Sequence, residues 1–184
     1  MFTDIDINAG YNSANSKIEI TKKEKNKSTN KSSFYIGAML TALLIAQLFY
    51  PITIPELKIL QDNKLFKQIS GFSILLLTFF QWRLTHLRNS NQKVNIKNVL
   101  RSHQWLGAIA PVFVFLHAPD SGYAYQTVLL YSFIGLVFVG LCNYHVFKIR
   151  KKWYISSWIT LHISLATLCL ALMMYHVYIT YTYS

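Results

Sequence analysis

Residues 153–184 read WYISSWITLHISLATLCLALMMYHVYITYTYS, and residues 101–119 read RSHQWLGAIAPVFVFLHAP. The first stretch contains no Lys, Arg, Asp or Glu, and the second carries its only such charge on Arg101. A helix needs about 20 mainly apolar residues to cross the hydrocarbon core of a bilayer, so both stretches are candidate membrane spans. Each holds two histidines 14 positions apart, His103 and His117 in one and His162 and His176 in the other. Fourteen residues of α-helix are close to four turns, which puts the two imidazoles of a stretch about 21 Å apart along the axis and within roughly 40° of one face.

Working outward, Ser121–Phe147 is also free of Lys, Arg, Asp and Glu. The apolar run Phe34–Tyr50 stops at Pro51, and the mixed segment Ile52–Gln68, with Pro55, Glu56 and Lys58, reads as an interfacial loop or short surface helix. A second apolar run, Gln68–Trp82, lies between Lys67 and Arg83. Those flanking side chains can snorkel, and the helix continues to about Leu87. With Ser102–Pro119 third, Gln126–Phe147 fourth and Tyr154–Thr182 fifth, the expected fold is an all-α integral membrane bundle of five transmembrane helices over residues 34–184. Residues 1–33, rich in Lys, Asn and Ser, read as a polar cytoplasmic tail that cannot bury enough apolar surface to order itself. The tail lacks the apolar core of a cleavable signal peptide.

The chain has 184 residues, 53% of them hydrophobic, and a net charge of +11 from 18 Lys and Arg against 7 Asp and Glu. The positive charge concentrates in three segments. These are the tail with six Lys, the second-to-third loop with Arg83, Arg88, Lys93, Lys97 and Arg101, and the fourth-to-fifth loop with Lys148, Arg150, Lys151 and Lys152. Five spans put all three on one side, which the positive-inside rule makes cytoplasmic, with the C-terminus outside. Basic residues beside spans serve topology and contact anionic lipid; they do not form an aromatic-interleaved surface, so no nucleic-acid partner is expected.

Third and fifth spans run the same way across the bilayer, so His103 comes level with His162 near the inner surface and His117 with His176 near the outer. Two facing imidazoles at each level form two bis-histidine sites, and a haem iron takes axial ligands from opposite faces in this way. The expectation is two haems stacked about 20 Å apart, iron to iron. Positions in phase with the ligands are small or slender: Gly107, Ala110 and Val114 on one span, Ala166, Cys169 and Met173 on the other. Small residues let a macrocycle lie close, and they also serve plain helix packing in membranes. Ionisable side chains inside a span are costly and usually functional, which favours a cofactor role for the four paired histidines. The unpaired His86 and His145, at helix ends beside basic clusters, read as interfacial residues without a cofactor.

Other chemistry is sparse. Cys142 and Cys169 lie inside apolar runs and read as packing residues, and the absence of CxxCH excludes covalent c-type haem. Carboxylates are missing from the third to fifth spans, so there is neither an acid-base dyad nor a carboxylate metal cage there. No GxGxxG or Walker loop is present, so a flavin or nicotinamide donor belongs on another subunit. Arg83, Arg88 and Arg101 are placed to pair with propionates of an inner haem, although topology alone accounts for them.

The stretch Arg101–Gly107 running on to His117, with Trp158–His162 running on to His176, resembles the ferric reductase and NADPH oxidase superfamily of transmembrane haem-b proteins. The resemblance covers about Gly71–Thr182 and implies that His103, His117, His162 and His176 are axial ligands of two b haems. Members typically have six helices, and the oxidases and eukaryotic ferric reductases continue into a cytoplasmic FAD/NADPH domain. This chain ends past its fifth span, so intrinsic NADPH oxidation is not expected, and the resemblance leaves open an electron donor subunit, a membrane quinol or a partner on the outer face. The chain is also similar to the cytochrome b of quinol:cytochrome c reductases, with the second to fifth spans as a four-helix core. Its glycines, Gly135 and Gly140 on the fourth span, lack the spacing of that family's companion helices. Readings from other classes are a cofactor-free structural subunit docking through its tail and Tyr175, Tyr178, Tyr181 and Tyr183, and a His-lined ion or metal carrier, which the missing carboxylates disfavour.

Overall fold

The structure is a computed structural model that describes residues 31–89, 96–118, 122–143, 149 and 151–183. Six α-helices and no strand occupy the described residues: α1 (Lys31–Phe49), α2 (Pro55–Asp62), α3 (Lys64–Asn89), α4 (Ile96–His117), α5 (Tyr125–Leu141) and α6 (Lys152–Thr182). The tail through residue 30, most of the α5–α6 connection and the Asp120 turn lie outside the described residues.

The chain is all-helical, and the helix beyond the expected five is α2. Pro55 sits at its start, where the missing N–H leaves no hydrogen bond unmade. Asn63 then separates α2 from α3. Its backbone is extended, and its Oδ1 accepts from the N–H groups of Leu65 at 2.9 Å and Phe66 at 3.3 Å, a side-chain N-cap. This cap starts α3 at Lys64, ahead of the apolar run at Gln68. On the other side of α2, Gln47 closes the bend after α1: its Nε2 donates to the Ile52 carbonyl and its Oε1 accepts from the Ile52 N–H. Helix α5, expected to run to Phe147, ends at Leu141, and residues 144–148 lie outside the described residues.

Three helices, Lys31–Phe49, Lys97–His117 and Lys152–Thr182, are long and apolar enough to cross a membrane. Helix α5 is apolar but has only 17 residues, and α3 is long at 26 residues but carries Gln68, Ser70, Ser73, Thr78 and Gln81 along its length. The side chains distribute as lipid requires. Leu43, Phe79, Phe80, Phe138, Leu161, Ile163 and Leu168 are exposed, whereas Ser33, Thr41, Gln47, Gln61 and Ser132 are buried. An apolar exterior around a polar-containing interior calls for lipid or a partner rather than water.

Packing follows a two-hairpin plan: α3 lies along α4 and α5 along α6, while α4 and α6 have little direct backbone contact. Helix α1 spans the two hairpins. A Cβ on Gly37 would lie 3.2 Å from Ala108 Cα and 3.3 Å from Leu141 Cδ2, so α1 approaches both α4 and α5 there closely enough to favour glycine. Ser33, Gly37, Thr41, Leu44 and Gln47 form the buried stripe of α1, with the Thr41 hydroxyl donating back to the Gly37 carbonyl. Pro111, fully buried in α4, removes the N–H that the Gly107 carbonyl would otherwise receive.

Candidate functional site

The gap between α4 and α6 is bridged by two pairs of imidazoles. His103 and His162 have ring centres 6.0 Å apart at an interplanar angle of 74°, and His117 and His176 have centres 6.2 Å apart at 87°. The N-terminal histidine of each helix meets the N-terminal histidine of the other, so α4 and α6 run parallel. An antiparallel pair would have brought His103 to His176. All four expected site residues are thus together in two sets, and the equal spacing along each helix is what makes the two sets level.

The separation within a pair has chemical meaning. An imidazole nitrogen lies about 2 Å from a metal it binds and its ring centre about 1 Å beyond, so two trans imidazoles on one metal have centres about 6 Å apart. Both pairs have this spacing. Among the described residues no group of three or more His, Cys, Asp or Glu is placed to hold a metal ion. A bare zinc ion takes three or four protein ligands, whereas a metal carried in a macrocycle needs only the axial two. Such a group would be held between α4 and α6 by His103 with His162 and by His117 with His176.

At the outer level both rings are held by hydroxyls. Ser70 Oγ lies 3.0 Å from His117 Nδ1, and the Tyr125 hydroxyl lies 3.3 Å from His176 Nδ1. Ser70 directs its one proton to the Phe66 carbonyl at 2.8 Å, so toward His117 it accepts. With Ser70 accepting, the His117 proton would be on Nδ1 and Nε2 would keep a lone pair for a metal. Tyr125 also packs edge-on against Tyr175, with ring centres 5.0 Å apart. Beside this site Gln61, only 4% exposed, donates to the carbonyls of Phe115 and Leu116 and so secures the end of α4 that carries His117.

The inner level is built differently. Trp158 lies one turn before His162 and stacks on it, with centres 5.8 Å apart and planes 15° from parallel, while its Nε1 donates to the Val139 carbonyl at 2.6 Å. Tyr154 donates to the Cys142 carbonyl at 2.7 Å, a second tie between α6 and the end of α5. Gln81 of α3 donates to the His103 carbonyl at 3.2 Å. Its Oε1 and the Nδ1 of His162 are buried with no hydrogen-bond partner among the described residues. A buried polar atom left without a hydrogen bond costs about 1–3 kcal/mol.

A glycine on each companion helix touches one ligand ring. A Cβ on Gly71 of α3 would stand 3.0 Å from His117 Cε1, and one on Gly140 of α5 would stand 3.3 Å from His162 Cε1. The two glycines serve opposite levels, which is why no repeated glycine spacing within one span announces them. Midway between the levels, Ala110 on α4 is 6% exposed and Cys169 on α6 is 1% exposed, both among the residues expected in phase with the ligands. Met173 contacts α3, its sulfur 3.9 Å from the Thr78 hydroxyl. Gly107 faces Gln81. The His86 side chain and His145 lie outside the described part of the molecule.

Seven contributors were not singled out as site residues by sequence: Gln61, Ser70, Gly71, Gln81, Tyr125, Gly140 and Trp158. Two of them carried a signal. Ser70 and Gln81 are polar residues in an apolar span, 11 positions apart and therefore on one face of α3. No family model matches the chain, and neither a characterised protein nor a solved structure is significantly similar to it.

Proposed function

We propose that this chain is a transmembrane electron conduit, the membrane subunit of a redox complex, in which His103 with His162 and His117 with His176 hold two b-type haems. The observation that carries this reading is the pair of imidazole couples, 6.0 Å and 6.2 Å across, at two levels of the same helix gap. Helices α1, α3, α4, α5 and α6 cross the bilayer, with the short α2 at the outer surface. The N-terminus is cytoplasmic and the C-terminus outside, as the Lys and Arg distribution favours.

Bound haem iron supplies a reversible one-electron couple at each level. The chain's own residues orient the imidazoles, keep each Nε2 toward the gap and exclude water between the levels. Ser70 and Tyr125 orient the outer rings, and Trp158 and Gly140 orient the His162 ring. Ala110 and Cys169 close the space midway with small buried side chains. With about 21 Å between ligand levels, two centres subdivide the bilayer into short steps. Electron donor and acceptor are partner subunits or a membrane quinol, and any nicotinamide or flavin chemistry belongs to a partner.

The quinol-linked variant of this reading draws support from Gly71 and Gly140. They place a glycine of each companion helix against a ligand ring in a four-helix unit made of α3 to α6.

The test is electron transfer across a membrane. Full-length chain is reconstituted into liposomes with ferricyanide trapped inside, and dithionite is added outside. The expected result is protein-dependent bleaching of the trapped ferricyanide, lowered at least about tenfold in His117→Ala and in His162→Ala. Bleaching no faster than in protein-free liposomes overturns the proposal and leaves a cofactor-free structural subunit as the better reading.

A further inference from the structure

The two outer rings and the His162 ring differ in what stands behind them. At the outer level Ser70 Oγ and the Tyr125 hydroxyl lie 3.0 Å and 3.3 Å from the Nδ1 atoms of His117 and His176. At the inner level the Nδ1 of His162 is buried and has no hydrogen-bond partner among the described residues, and its ring is held by stacking on Trp158 instead. With Nε2 on a metal, Nδ1 carries the ring proton. Ser70 is already committed as a donor to the Phe66 carbonyl, so it accepts from His117, and Tyr125 accepts from His176.

A ligating histidine whose second nitrogen donates a hydrogen bond is a more basic ligand. A more basic ligand favours the higher charge on the metal. We infer that Ser70 and Tyr125 are positioning residues that lower the reduction potential of the outer centre and so set the two centres apart. This rests on the two-haem reading above. With haem held by the histidines, the couple they would influence is the one-electron reduction of ferric to ferrous iron, the electron coming from the partner donor or quinol, and Ser70 and Tyr125 would keep the ring protons on Nδ1. Ser70 has the shorter contact and therefore the larger influence.

The experiment is an equilibrium redox titration of the purified full-length chain followed at the haem bands, for wild type, Ser70→Ala, Ser70→Thr and Tyr125→Phe. The outer component is identified as the one missing from His176→Ala. In Ser70→Ala that component is expected to become about tenfold easier to reduce, about 59 mV for a one-electron couple, with the inner component unmoved. Tyr125→Phe is expected to move the same component in the same direction by less, and Ser70→Thr, which restores a hydroxyl, to return it toward wild type. Should Ser70→Ala lose its outer haem, Tyr125→Phe carries the test. Two retained haems whose potentials do not move, or move together, overturn this inference and leave the conduit standing. A wild-type chain that binds no haem overturns both.

Discussion

The outer and inner histidine pairs have nearly the same spacing but are held by different means. The outer rings are fixed by hydrogen bonds from α3 and α5, and the carbonyls beside His117 are capped by Gln61. At the inner level the His162 ring rests on the Trp158 face, Gln81 donates to the His103 carbonyl, and Gln81 Oε1 and His162 Nδ1 are buried with no hydrogen-bond partner among the described residues. Equal spacing with unequal support teaches that the distance, and not a particular set of neighbours, is the shared requirement of both levels. Edge-to-face ring packing alone spans about 4.5–7 Å between centres, whereas the proposed function accounts for two nearly equal separations at once.

The comparison breaks most decisively at the ligands. Replacing His103 or His162 by Ala is expected to remove one haem and spare the other, and replacing His117 or His176 to do the same at the opposite level. Haem per polypeptide should fall by about half in each, and pairing His103→Ala with His162→Ala should cost no more than either alone, because they share a centre. Next in size come the glycines. Gly71→Ala puts a methyl 3.0 Å from His117 Cε1, and overpacking of this kind costs about 1–3 kcal/mol, so the outer haem should be retained about tenfold less tightly in a haem-transfer assay. Gly140→Ala, at 3.3 Å from His162 Cε1, should weaken the inner haem by less.

Trp158→Leu removes a stacked ring and the donor to the Val139 carbonyl, and is expected to loosen the inner haem by about 1 kcal/mol, with the outer haem unaffected. The smallest effect belongs to Gln61→Leu. It leaves the carbonyls of Phe115 and Leu116 without their side-chain donor, a loss of about 1 kcal/mol, read as a slightly lower melting temperature in detergent with both haems in place.

Much of this was legible in the residues. The uncharged stretches read as helices, and the described residues form helices joined by short connections, with no strand among them. The double interval of 14 positions put His103 level with His162 and His117 level with His176 once both helices run the same way, and the rings do meet in those pairs. What spacing could not supply is the rotational register of α3 and α5 against the ligand helices. Ser70, Gly71, Tyr125 and Gly140 reach the rings only because of that register, which is set by packing between hairpins and not by any period within one span. Trp158 was accessible in principle, since four positions before His162 is the same face of one helix. Helix α2 was left open as loop or short helix because its fate depended on whether Asn63 capped the next helix, a local hydrogen-bonding choice in an eight-residue segment.

The central claim is that each histidine pair holds one haem, and a haem count tests it most directly. A reduced-minus-oxidised spectrum with a pyridine haemochrome assay on the detergent-purified full-length chain gives the haem type and the number per polypeptide. The account predicts two b haems in the wild type and about one in His103→Ala and in His176→Ala. Protein produced with ample haem supply that is colourless, or whose haem content does not respond to either substitution, would contradict it.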